Sequence, residues 1–87
     1  MTITNEAKML LENLFESNYE DCLLVKEEKS KNGTTLVFNL IKQTKSDKPT
    51  YINGIPVVMD KNVIGRSEKV TIAVNEGDLV INDPSAL

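Results

Sequence analysis

The chain has 87 residues, of which 40% are hydrophobic and 26% charged, with 13 acidic against 10 basic side chains. That length makes one domain, 1–87, with one modest core, and the composition excludes the disordered class. The net charge of −3 argues against a nucleic-acid partner, which selects a basic face.

No stretch approaches 18 apolar residues, and Met1–Glu6 holds no basic segment followed by an apolar run. The expectation is therefore a cytoplasmic protein with neither membrane span nor signal peptide. Cys22 is the single cysteine, so no internal disulfide forms and the domain stands on packing, as in a reducing compartment.

From the N-terminus, Ala7, Leu10, Leu11, Leu14 and Phe15 recur at helical spacing, with Lys8, Glu12, Asn13 and Glu16 on the other side. This predicts an amphipathic helix over 5–15 with Thr4 as N-cap and Glu6 set favourably in the first turn. Ser17 and Asn18 end the pattern. A helix this short needs a sheet to cover its apolar stripe.

Cys22–Lys26 reads as a short apolar strand, and Glu27–Asn32 with Gly33 as a polar connection. Lys26, Lys29 and Lys31, interrupted by Glu27 and Glu28, read as a solvated loop. Thr34–Gln43 is the next strand, with Leu36, Phe38 and Leu40 on its core face. After a polar break over 44–49, Asn53-Gly54 between apolar residues predicts a tight hairpin, with Pro56 at an edge or unbonded position. Lys61–Ser67 reads as a loop or short helical turn that points Val63 and Ile64 inward. Val70, Ile72 and Val74 mark a half-buried strand, and Leu79–Ile81 closes the chain's sheet after the turn 75–78. One helix and five or six short strands, with no room for crossover helices, predict an α+β domain: an N-terminal amphipathic helix on a mostly antiparallel, sandwich-like or barrel-like sheet.

Chemistry-bearing patterns are sparse. Histidine is absent, and Gly33, Gly54, Gly65 and Gly77 are too far apart for a phosphate loop. The expectation is no catalytic residue, no cofactor and no enzyme activity. Asp60 and Asp83 each end a strand, where a cap or turn bond suffices. Arg66, the sole arginine, reads as a surface residue rather than a carboxylate clamp. Cys22 is the one weak candidate for a metal ligand. It opens an apolar run beside Glu20 and Asp21, which favours packing over thiolate chemistry.

Three segments taken in order resemble one family. Ile3-Thr4-Asn5-Glu6-Ala7 with its leucine-rich helix, Ile52-Asn53-Gly54-Ile55-Pro56-Val57-Val58-Met59-Asp60, and Asn75-Glu76-Gly77-Asp78-Leu79-Val80-Ile81-Asn82-Asp83-Pro84 are similar to the opening, central hairpin and closing strand of the HesB/IscA-like domain. That resemblance implies the fold of A-type carriers, which hold or deliver iron–sulfur clusters or iron. It also implies where the ligands would sit. In the segment matching the family's first ligand, Asn32-Gly33-Thr34-Thr35, Gly33 occupies the cysteine position. The given sequence ends at Leu87 without the family's Cys-Gly-Cys segment, and Cys22 matches none of the three ligand positions. Iron–sulfur sites are built from thiolates.

The expectation is therefore a non-catalytic protein of the carrier fold that binds no cluster in the family's manner and acts on an unspecified protein partner. A metal or small-ligand binder using carboxylates and Cys22 is the alternative. Pro56 and Lys48 would blunt the hairpin edge, which favours a monomer over a homodimer.

Overall fold

The computed structural model describes residues 1–84. Its order is β1 (Thr2–Ile3), α1 (Asn5–Asn18), β2 (Cys22–Ser30), β3 (Gly33–Ile41), β4 (Thr50–Ile52), β5 (Ile55–Met59), α2 (Lys61–Arg66), a 3-10 turn (Ser67–Lys69), β6 (Thr71–Asn75) and β7 (Asp78–Asn82). The result is an α+β fold in which the N-terminal helix packs against mixed sheets.

Helix α1 begins as its sequence dictates. Thr4 is extended and its Oγ1 accepts a hydrogen bond from the backbone N–H of Ala7, which satisfies one of the donors that a helix start leaves open. The helix runs one turn beyond the expected stop. Tyr19 then adopts φ 55°, and the N–H of Glu20 returns to the carbonyl of Phe15 at 2.9 Å. This is the left-handed helix stop that glycine usually provides. Ala7, Leu11 and Phe15 form the buried stripe.

Two sheets share the core. One has the order β1-β6-β7 and the other β3-β2-β5-β4. Ile3 and Ile72 from the first, with Val70 just before β6, meet Leu23, Val25, Leu36, Ile55 and Val57 from the second, and α1 and Val63 of α2 complete a single cluster. Leu36 is buried, and Phe38 and Leu40 pack against the cluster from the same face.

Most of the pairing is antiparallel, as the sequence predicts, and two short parallel pairs make both sheets mixed. β2·β3, β4·β5 and β6·β7 are antiparallel, but β1·β6 and β2·β5 are parallel. A parallel pair needs a long return path, which is usually a helix. Here β3, the loop after it and β4 carry the chain from the end of β2 back to the start of β5. The two hairpins then lie side by side.

Three local expectations also change. Glu27–Ser30 is strand rather than connection, because the β2–β3 ladder continues one-to-one to Ser30↔Gly33 and leaves only Lys31 and Asn32 as the turn. Backbone bonds hold that ribbon, so its run of charged residues leaves no apolar trace. Ile64 faces solvent while its neighbour Val63 is buried, since a single helical turn can direct only one of two consecutive side chains inward. β1 is new: two residues are too few to show a period.

The Asn53-Gly54 turn forms as its residues predict, with φ 49° and 78°, the paired left-handed conformation of a type I′ hairpin. Pro56 lies on an inner strand, not an edge. Pairing of β5 with β2 starts at Leu23↔Val57, one residue later, so the missing N–H of Pro56 leaves no partner wanting.

Candidate functional site

Cys22 opens β2 and is completely buried (0% exposed). Its Sγ lies 3.7 Å from the carbonyl oxygen of Leu23 as a weak donor. Burial pushes the thiol pKa up, and the carboxylates of Asp21 and Asp47 push it further, outweighing backbone hydrogen bonds at Val58 and Leu23 that act the other way. A reactive or metal-binding sulfur needs the opposite environment, exposed and electropositive. Of the two acidic neighbours expected from sequence, Asp21 contributes; Asp47 arrives from the loop after β3.

Gly33 sits at the far end of the same ribbon. Cys22 pairs with Ile41 and Gly33 with Ser30. The two positions are thus eight residues apart along the ladder, about 26 Å at the usual rise of a strand. Gly33 carries no side chain to offer and has φ 123° to make the tight turn. Cys22 and Gly33 cannot serve one metal centre, and this pair does not fit an iron–sulfur cluster.

The carboxylates do not converge. Among the described residues, no group of three or more Cys, Asp or Glu side chains could hold a metal ion. Several acids have structural work instead. Asp21 accepts the backbone N–H of Gln43 at 2.8 Å, and Asp47 accepts that of Thr44 at 2.8 Å. Together they shape the loop between β3 and β4. Asp60 precedes α2 but makes no side-chain cap bond.

Arg66 is the correction on the basic side. Its Nη2 donates to Asp83 Oδ2 at 3.0 Å, and the side chains are only 15% and 11% exposed. The pair ties the end of α2 to the segment after β7. The clamp is intramolecular rather than a ligand site. Arg66 Nη1 is buried with no hydrogen-bond partner among the described residues.

Asn53 has a role that its motif does not reveal. Its Nδ2 donates to the carbonyl of Ile3 and to Oδ1 of Asn5, both at 2.9 Å. The hairpin tip thereby holds the junction of β1 and α1. Only the turn chemistry was legible, because the partners lie about fifty positions away in sequence.

The surface carries large apolar side chains where a polar constellation would otherwise be sought. Tyr19 is 88% exposed, and Met9 and Tyr51 are each 66% exposed. Among the described residues no helix is long and apolar enough to cross a membrane. Compared with known proteins, the chain matches no family profile and no curated sequence.

Proposed function

We propose that this chain is a non-catalytic cytoplasmic protein of the HesB/IscA-like carrier fold that works through protein contacts and binds no iron–sulfur cluster in that family's manner. One observation carries the reading: the only thiol is sealed in the core, and the position that resembles the family's first ligand is a glycine some eight ladder steps away. Thiolate chemistry has no second sulfur to build on. The arrangement of an N-terminal helix against mixed sheets, with a central Asn-Gly hairpin, is compatible with the fold that the resemblance implies. Exposed Tyr19, Met9 and Tyr51 support the contact role, since aromatic and methionine side chains are favoured in protein interfaces.

The test is anaerobic reconstitution with ferrous iron and sulfide, followed by desalting. The expected product has no visible-range absorption above that of a Cys22→Ala control. A stable, stoichiometric cluster on the unaltered chain would overturn the reading.

A further inference from the structure

The four sheet edges differ in how they are protected. β1 has two residues and β4 three, the latter preceded by Lys48-Pro49. β7 is bounded by Asp78 and by Asp83-Pro84. Shortness, charge and proline are the usual devices that stop an edge from pairing with another chain. β3, flanked by Lys31 and Lys42, has none of them within its length. Gly33–Ile41 contains no charged residue and no proline, its nine-residue ladder with β2 has no bulge, and it pairs with no other strand among the described residues. Thr34, Thr35, Val37, Phe38 and Ile41, of types that favour extended structure, fill more than half of it.

The turn fixes which backbone groups are free. A two-residue loop closes on a hydrogen-bonded pair, here Ser30 and Gly33. Alternation along an antiparallel ladder then directs the N–H and C=O groups of Gly33, Thr35, Val37, Asn39 and Ile41 toward β2. Those of Thr34, Leu36, Phe38 and Leu40 point away from the sheet. On the core face Phe38 and Leu40 remain half-buried.

We propose that this edge pairs with β3 of a second copy, antiparallel and centred on Val37, to make one continuous sheet across two chains. The strand is self-complementary in that register. Val37 faces Val37, Leu36 faces Phe38 and Thr34 faces Leu40, while on the outer face Thr35 meets Asn39. The four outward-pointing residues of each copy then pair with one another, giving about eight inter-chain hydrogen bonds; a slip of two residues leaves about six. No charges oppose, because the strand has none. Pro56 and Lys48, which argued for a monomer, lie on or before other strands and do not protect this one.

The contact would be about 30 Å long and about 10 Å deep, roughly 600 Å² over both copies. A stable dimer usually buries roughly 1,200 Å² or more, so the association is weak and concentration-dependent. This inference uses only the ladder and stands whether or not the functional reading above holds.

Sedimentation from about 10 μM to about 1 mM should show reversible conversion of monomer to dimer. Val37 lies on the outer face, half-buried and paired with Lys26 of its own chain, so Val37→Glu should fold yet place like charges opposite each other across the two copies and abolish the dimer. Mixing Val37→Lys with Val37→Glu should restore it. Register is read by cross-linking in a Cys22→Ala background. Val37→Cys would meet its copy in an unbonded pair with Cα atoms about 4.5 Å apart, within disulfide range. Thr35→Cys would lie about 13 Å from its copy and remain uncross-linked alone, but should cross-link when mixed with Asn39→Cys. A chain that stays monomeric throughout, or Val37→Cys that cross-links no faster than Thr35→Cys, overturns the proposal.

Discussion

Asn53 combines two functions that substitution can separate. Its backbone takes the left-handed conformation at φ 49°, and its amide nitrogen bonds both Ile3 and Asn5. Asn53→Gly keeps the turn and removes both side-chain bonds. The bond to the Ile3 carbonyl is partly buried and contributes about 1 kcal/mol; the exposed one to Asn5 contributes about 0.5 kcal/mol. Glycine's extra freedom in the unfolded chain adds about 0.5 kcal/mol. The expected loss is about 2 kcal/mol. Asn53→Ala loses the same bonds and adds about 1–2 kcal/mol for forcing a Cβ into the left-handed region, for a total of about 3 kcal/mol. Urea unfolding measures both, with an unchanged slope and a lowered midpoint as the expected signature. By heat, each kcal/mol should lower Tm by about 4–8 °C in a domain of this size. If Asn53→Gly is as stable as the parent, the side-chain staple is not a stabilising contact. If the two variants are equally stable, the backbone part of the reasoning fails.

Three further outcomes are expected. Leu11→Ala opens a cavity among Ala7, Phe15 and the two sheets and should cost about 3 kcal/mol in urea unfolding, whereas Glu12→Ala on the exposed face should cost less than about 0.5 kcal/mol. Arg66→Met removes the charged hydrogen bond to Asp83, itself only 11% exposed, and should destabilise by about 1–3 kcal/mol, read as a lower urea midpoint. Because burial, Asp21 and Asp47 raise the Cys22 pKa above its ordinary value of 9.0, the thiol in the unfolded chain ionises first as pH rises. The contribution of Cys22 is therefore complete below about pH 9 and declines above it, so Cys22→Ala should show a shallower loss of stability than the parent as pH rises past about 9. Equal slopes for the two proteins would refute it.

Much of the local structure was legible because its causes are local. The apolar spacing from Ala7 to Phe15 and the hydroxyl of Thr4 define a helix wherever they occur, since both act within a few residues along the chain. Asn53-Gly54 specifies its turn through the conformations those two residues tolerate. The alternation of Val70, Ile72 and Val74 marks a strand with one face on a core. Leu36, Phe38 and Leu40 likewise share the inner face by alternation alone.

What the tertiary structure decided depends on partners far along the chain. The extension of β2 through Glu27–Ser30 comes from backbone bonds to β3, which side-chain pattern does not encode on an exposed ribbon. The parallel pairing of β2 with β5 depends on how two hairpins pack, not on either hairpin. Arg66 is a surface residue by composition and a clasp by its contact with Asp83, 17 positions away. Cys22 could be named a core residue from its apolar neighbours, but its separation from Gly33 follows from the β2–β3 register. Periodicity and turn chemistry act through neighbouring residues and are written in the sequence. Pairing partners and ion pairs depend on loop closure and shared burial, energies that exist only once the whole chain is packed.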